Sequence, residues 1–410
     1  MLPNTPASAP QTCADFRGLS PFLRQSIAGI DLRPTAQALL KTAEQQPGQP
    51  ELWLTLSYLM RALQLDEAAA AMQAEALAIQ RAYPIAAARQ PAQLRLLVLM
   101  TAGPLSANTP IECLLEDCAV ELILYYLDPD TLFPEPPPAH DAVLVAIGDA
   151  AAHRPLLAAL LPVLADWPHP VINQPSAIPN TERSQASRLL QGVPGLSMPG
   201  TWQASRLQLF DIGRGVTPLG ASFPAGHYPV IVRPTDSHGG HHLARIDDHG
   251  ALAAYLQQVR SNDFYLSPFV DYRSVDGLYR KYRIALLDGQ AYACHMGIST
   301  HWMIHYLNAG MADDADKRAE EAQFMTGFVA FAARHQTALQ AISQRSGLDY
   351  LCLDCAETTA GNLLVFEIDH AMIVHAMDAP EVFPYKQAPM HQLRDDFCRY
   401  LARRVAAGTA

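Results

Sequence analysis

The chain has 410 residues, too many for one simple core, so two or three domains are expected. Half of the residues are hydrophobic and 17% are charged, and no run of about 18 uncharged apolar residues occurs, so a membrane span is not expected. The formal net charge of −11 argues against a nucleic-acid partner, whose phosphates need a basic patch. The first residues, Met1 to Ser8, lack the basic-then-apolar pattern of a secretion signal. The cysteines at positions 13, 113, 118, 294, 352, 355 and 398 have no framework spacing. Both features fit a cytoplasmic protein with reduced thiols.

Taken in chain order, the first 30 residues are weakly periodic and read as an irregular arm. Amphipathic helices are expected from Pro34 to Glu44, from Glu51 to Arg61 and from about Leu65 to Ala82. Their spacing and the Trp53-to-Tyr58 cluster resemble one degenerate tetratricopeptide repeat, although one copy forms no solenoid. From Leu94 the pattern changes to short apolar runs, Leu94–Met100, Val120–Tyr126, Ala142–Ile147 and Pro170–Asn173, with a helix from Ala152 to Ala165. Strands alternating with helices indicate an α/β layer. Further on, a helix over 180–190, a strand Tyr228–Pro234, a helix His249–Val259 and a strand Asp263–Val270 precede a hairpin turning at Asp288-Gly289. One long helix is expected from Asp313 to about Ser346. The fold class is therefore α/β and α+β, multidomain.

The richest chemistry lies in two acidic segments, Leu351-Cys-Leu-Asp354-Cys355 and Val365-Phe-Glu367-Ile-Asp369. Paired as a symmetric hairpin, they set Asp354 opposite Glu367 with Asp369 on the same face. Like charges facing each other destabilise a sheet, so a cation is expected there, and an oxygen-only site suggests Mg²⁺ shared with nucleotide phosphates. A solvated acidic face is the alternative that these residues alone leave open. Cys352 and Cys355 form a C-x-x-C with no second pair to complete a zinc site, and read as buried small hydrophobes.

Basic residues concentrate between Arg273 and Arg283, a clue to an anionic ligand. Strand 229–234 delivers Arg233 to the loop Ser237-His238-Gly239-Gly240, whose glycines let backbone N–H groups approach phosphate closely. Among the histidines, His301 and His305 at i and i+4 would share a helix face and could bind zinc, against a simpler conformational or substrate-bonding role. His238, His241, His242 and His295 carry no clearer signal. His370 and His375 follow the acidic hairpin as packed, surface or substrate-touching groups. Glu320-Glu321 with Lys317-Arg318 reads as a charged helix face.

Five segments in order resemble the ATP-grasp carboxylate–amine ligases, especially the glutamate-ligase and glutathione-synthetase branch. They are Val171 to Ile178 with Arg183, Leu189-Leu190 and Pro199-Gly-Thr201; Val230-Ile-Val-Arg233-Pro with its Gly-Gly loop; Ser267-Pro268-Phe269-Val270; Tyr282-Arg283-Ile-Ala-Leu-Leu-Asp-Gly; and Asp354 with Glu367-Ile-Asp369. The match covers roughly residues 94 to 400. It departs from the family's pattern where Arg183 and Arg233 replace lysines, where Asp369 replaces an asparagine, and where Ser267-Pro268 replaces a hinge carboxylate.

The resemblance implies four parts: a helical, tetratricopeptide-like module at 1–92, an α/β pre-grasp domain at 93–175, a grasp N-lobe at 176–265 and a C-lobe at 266–410. It implies ATP and Mg²⁺, with Asp354, Glu367 and Asp369 on the metal, and Arg183, Arg233 and the Ser237, Gly239, Gly240 loop on phosphates. The backbone of Pro268, Phe269 and Val270 would hold adenine, Arg283 the γ-phosphate or acyl phosphate, and Asn308 would approach the reacting carboxylate. Arg273, Arg280, Lys281, His301 and His305 are candidates for substrate contact. The implied activity joins a small-molecule or peptide carboxylate to an amine through an acyl phosphate. A non-catalytic nucleotide-binding scaffold and a kinase stopping at phosphoryl transfer are the alternatives. The N-terminal helices are a candidate surface for a protein partner, and a homo-oligomer is compatible with the sequence.

Overall fold

The computed structural model describes residues 16–408 except 225, 236 and 238, so Cys13, His238 and the first half of the expected arm lie outside the described residues. The second half of that arm is helix α1 (Ser20–Ile27), which corrects the expectation of irregular chain. Pro21 sits in its first turn, where a missing N–H is harmless, and Phe16 and Leu19 bury just before it. Helices α2 (Arg33–Gln45), α3 (Pro50–Ala62) and α4 (Asp66–Ile79) follow and share a core that includes Leu32, Ala36, Leu52, Leu56 and Leu59.

The first sheet contains β1 (Ala82–Ile85), β2 (Leu94–Met100), β3 (Val120–Tyr126), β4 (Ala142–Val145) and β5 (Val171–Ile172), in the order β1-β3-β2-β4-β5. Strands β2 to β5 are parallel, and their almost uniform burial reflects cover on both faces. Strand β1 was not foreseen; it is an antiparallel edge whose Pro84 suits that position. Helix α5 (Ile111–Leu114) follows β2, and α6 (Arg154–Ala165) buries Leu156, Leu157, Leu160 and Leu164.

Helix α7 (Arg183–Leu189) and the two-residue strand β6 (Leu196–Ser197) come next. The second sheet, all antiparallel, has β7 (Trp202–Ser205), β8 (Val230–Pro234), β9 (Ala244–Ile246) and β10 (Asp263–Pro268) in the order β7-β10-β8-β9. Helices α8 (Arg206–Gly213), α9 (Leu219–Ser222) and α10 (His249–Gln258) back it through Leu209, Ile212, Leu219 and Leu252.

The third sheet has β11 (Tyr279–Leu287), β12 (Gln290–Ser299), β13 (Tyr350–Glu357) and β14 (Leu363–Asp369), in the order β12-β11-β13-β14-β6. Asp288 and Gly289 turn with φ +50° and +76°, the pair of positive angles that a two-residue hairpin needs. The single helix expected over 313–346 is instead three: α11 (Ala315–Thr326), α12 (Phe328–Arg334) and α13 (Gln336–Ser346). One break falls at Gly327, where a Cβ would stand 2.8 Å from the Gln323 carbonyl, and the other at His335, whose buried ring bonds Glu357 at 2.7 Å. Helix α14 (Gln387–Gly408) closes the fold and buries Leu393, Phe397 and Tyr400. Among the described residues no helix is long and apolar enough to cross a membrane.

Two buried side chains lock the acidic hairpin to the first sheet. Asn173, at the end of β5, donates from Nδ2 to the Tyr350 carbonyl at 2.8 Å, and its Oδ1 accepts from the Tyr350 N–H at 2.9 Å. His370, just past β14, bonds the Ile147 carbonyl through Nε2 at 3.0 Å, while Thr109 donates to the His370 carbonyl at 3.1 Å. His370 is therefore a packed histidine.

Glu112 on α5 is buried beneath residues 18–20, with Oε2 unpartnered among the described residues. Burial raises its pKa to about 7, which the backbone N–H groups of Glu112 and Leu19 only partly offset. A raised folded-state pKa supports stability below the unfolded value and loses it as pH rises toward 7. Glu112→Gln should thus gain on the order of 3 kcal/mol over wild type between pH 4.5 and pH 8, measured by urea denaturation at both values.

Candidate active site

A cleft of about 850 Å³ opens between the second and third sheets. Its lining brings together Arg183, Arg233, Gly239, Gly240, Pro268, Phe269, Val270, Lys281, Arg283, His305, Asn308, Asp354, Glu367 and Asp369, all singled out from sequence. Ser237, Arg273, Arg280 and His301 do not line it.

The centre of the charged wall is Asp354, 2% exposed in the middle of β13. Its carboxylate accepts from Lys281 Nζ at 2.8 Å and from Arg283 Nε and Nη2 at 2.8 and 3.1 Å. Burial opposes ionisation of Asp354, yet Arg283 and Lys281 outweigh it and hold the carboxyl well below its usual range. Burial likewise opposes the Arg283 charge, and Asp354 restores it. Alternation along β11 puts Lys281 and Arg283 on the cleft face and sends Arg280 to the other, where it pairs with Asp276 and Glu320. Arg273 is paired with Asp271 and lies over the Tyr279 ring.

Asp354 stands opposite Glu367, and Cys352 opposite Asp369, as the hairpin reading expects, but a bulge produces this pairing. Near the turn Cys355 faces Val365, so a regular ladder would set Phe366 against Asp354; the extra residue re-aims Glu367 onto the cleft face. Both cysteines of the C-x-x-C are buried, free thiols.

The three carboxylates do not form one metal cage. Asp354 is occupied by Lys281 and Arg283, Glu367 is paired with Arg183, and Asp369 accepts from the Ala371 N–H at 2.9 Å with His370 Nδ1 3.8 Å away. Among the described residues no group of three or more His, Cys, Asp or Glu is placed to hold a metal ion. Basic side chains supply the cations that Asp354 and Glu367 require in this structure. Asp369 differs from the other two: burial raises its pKa, and neither Lys nor Arg pairs with it among the described residues.

Beside this wall, helix α7 is capped by Glu182, whose side chain accepts from the Ser184 and Gln185 N–H groups at 3.0 and 2.8 Å. That cap sets Arg183 at the cleft edge. Arg233 on β8 is 8% exposed, and burial together with neighbouring Arg183 depresses its pKa to about 10. Among the described residues no carboxylate forms an ion pair with it; Nε bonds Ser237 Oγ at 3.1 Å and Nη2 the Ser237 carbonyl. Ser237 thus orients Arg233 from behind. Gly239 and Gly240 turn with φ +59° and +78°. At the end of β10 the Phe269 N–H is used by Pro229, while Val270 makes no hydrogen bond among the described residues.

The loop 301–312 closes the far end. His301 sits in a bend and stacks on Trp302, and His305 is an extended residue before a short 3₁₀ turn, so the shared helix face expected for the two histidines does not exist. Asn308 lines the cleft while its Oδ1 accepts from the His305 N–H at 3.0 Å. Glu321 lies on no solvated helix face: it is fully buried and accepts from the Met296 N–H, Tyr306 and Tyr385 at 3.0, 3.1 and 2.6 Å. Lys386, 1% exposed, stands 3.3 Å from Glu321 and 3.2 Å from Asp378 and lies over the Tyr306 ring. Sequence reading missed Lys386, Tyr306 and Asp378, because nothing local marks a lysine in a C-terminal turn as buried; His375, named from sequence, lines the cleft.

No protein-family model and no curated protein matches the chain. Similar solved structures include a RimK domain protein ATP-grasp from Sphaerobacter thermophilus, 16% identical with TM-score 0.43 over 72% of this chain and 97% of that one. Another is D-alanine–D-alanine ligase from Bacillus anthracis complexed with ATP, 12% identical with TM-score 0.44 over 74% and 99%. A third is the ATP-grasp ligase PsnB complexed with minimal precursor, Mg and ADP, 14% identical with TM-score 0.42 over 76% and 98%. Likenesses this distant assign no role to any residue here.

Asp354→Asn would leave Lys281 and Arg283 without their buried counter-charge. A loss of about 3–5 kcal/mol is expected in chemical denaturation, against less than about 1 kcal/mol for removing the exposed Asp271 partner of Arg273.

Proposed function

We propose that the chain is an ATP-dependent ligase that joins a carboxylate to an amine through an acyl phosphate. The observation that carries this reading is the convergence of Arg183, Arg233, Lys281 and Arg283 with Glu367 and Asp369 in one deep cleft between two sheets. Arg233 is the sharpest element: a buried guanidinium beside a second guanidinium, with no carboxylate pairing it among the described residues, is complementary to an anion.

In this reading the triphosphate lies against Arg183, Arg233 and the Gly239-Gly240 turn. Adenine meets the free main-chain groups of Val270 and the Phe366 ring. Arg283 stands where charge develops on the transferred phosphoryl group, already oriented by Asp354, so little reorganisation is needed in the transition state. Glu367 and Asp369 would hold Mg²⁺, consistent with a cation that is bound by one or two carboxylates and completes its shell with phosphate oxygens. Such an ion would neutralise phosphate charge. Asp354 keeps Lys281 and Arg283 in place and is not a ligand here.

The substrate carboxylate and amine would enter from the far end, beneath loop 301–312 and beside α1, whose Leu23 and Ile27 line the cleft. The four-part division at residues 92, 175 and 265 and the tetratricopeptide-like character of the N-terminal helices belong to the same reading. That module would complete the acceptor end.

Incubation with ATP, Mg²⁺ and pooled amino acids and dipeptides should release ADP and phosphate only when a substrate pair is present. A phosphorylated product without an amide would make the chain a kinase, and nucleotide binding without any turnover would make it a scaffold. Glu367→Gln removes one charge beside Arg183 and Arg233. The ratio of ATP affinity with Mg²⁺ to that without should fall at least about tenfold in calorimetric titration, and an unchanged ratio would remove Glu367 from the metal site.

A further inference from the structure

Resting on the ligase reading, we propose that His295 is the base that takes the proton from the attacking amine. The placement comes from a bulge. In the hairpin of β11 and β12 the register runs Leu287 to Gln290, through Ile284 to Ala293, and then shifts, so that Arg283 faces His295. A regular ladder would have set Cys294 opposite Arg283 and turned His295 to the other face of the sheet. The extra residue brings the imidazole to the cleft as a cross-strand neighbour of Arg283, where paired Cβ atoms are about 5 Å apart.

The ring is held but not used. It packs on Tyr306 with centroids 4.4 Å apart, and the Tyr306 hydroxyl is fixed by Glu321 and Lys386. Neither ring nitrogen of His295 has a hydrogen-bond partner among the described residues, although the residue lines the cleft. The other two imidazoles there are less suited. His375 already accepts the Met377 N–H on Nδ1 at 3.1 Å, and His305 is exposed on the loop. Burial, Arg283 and Lys386 all lower the pKa of His295, with Lys281 adding to them and Asp354 opposing, so the imidazole enters the cycle neutral.

The amine arrives as an ammonium ion. Its first proton passes to the free ring nitrogen of His295, and the nitrogen lone pair then forms the C–N bond at the acyl carbon. The C–O bond to phosphate breaks with its electrons leaving on phosphate, which takes the second N–H proton and departs as hydrogen phosphate. His295 returns its proton to solvent.

Hydroxylamine tests this, because its nitrogen is already unprotonated at neutral pH and needs no base. Wild type and the variants His295→Asn and His295→Gln are compared with ATP, Mg²⁺ and pooled amino acids and dipeptides, with and without hydroxylamine. Both variants should retain hydroxamate formation within about threefold and the thermal shift given by Mg-ATP, while amide formation falls about 10²–10⁴-fold. Equal loss of both products, or amide formation at the wild-type rate, overturns the assignment. If wild type yields neither product nor ADP, the ligase reading falls and this role falls with it. If wild type yields hydroxamate, the reading stands whatever His295 does.

Discussion

The charge held at Asp354 organises this structure. A carboxylate 2% exposed in the middle of a sheet is tolerable only when its counter-charges are fixed, and β11 supplies two of them two residues apart on one face. That triad fixes which face of the third sheet is polar and where Arg283 points. Glu367 and Asp369 on β14 and His295 on β12 take their places relative to it. Without Asp354 the cleft would carry four converging cations; with it, they are partly balanced and ready for an anionic ligand.

Two β-bulges meet at this level of the sheet, one on each side of the Arg283 and Asp354 pair. Each inserts a single residue, and each moves a chemically useful side chain from the packed face to the cleft. Regular pairing would have presented Phe366 and Cys294 where Glu367 and His295 now stand. The apolar residues on either side hold the register, since Leu351, Leu353, Val365 and Ile368 are buried at 0% or 1% exposure and cannot slip without exposing a core. The buried Lys386 with Glu321 and Asp378 extends the same design to loop 301–312, fixing the Tyr306 hydroxyl by charge while Ile304, Ala309 and Met311 anchor the loop in the core.

Much of this was legible in the sequence, for physical reasons. Runs such as Leu94–Met100 and Val120–Tyr126 are apolar on both faces because both faces are covered, and such a pattern has few alternatives. The alternation along Arg280 to Arg283 and the Asp288-Gly289 turn carry their geometry locally. Helices were less secure. The stretch 313–346 is helical throughout by propensity, and only contacts from elsewhere, at Gly327 and at the His335 bond to Glu357, cut it into three. Helix α1 was missed because Ser20–Ile27, though amphipathic, spans only 8 residues, and its packing against α3 and the Ser20 bond to Glu112 lie outside its sequence.

Side-chain pairing shows the limit most clearly. From sequence, Arg280 and Lys281 are equivalent neighbours in a basic run, and Asp354, Glu367 and Asp369 are three equal acids. The strand period separates the first two, but only the assembled sheets decide that Arg280 finds Glu320 while Lys281 finds Asp354. Sequence by itself determined the longer strands, the acidic hairpin and the kinds of charge brought to it, because these follow from periodicity and turn chemistry within a few residues, whereas the short strands β1, β6, β7 and β9 depend on their neighbours. The tertiary structure alone decided which acid meets which cation and which histidine stands beside Arg283. Those outcomes depend on register shifts and burial set by segments far apart in the chain, as the pairing of Arg183 with Glu367 across 184 positions shows.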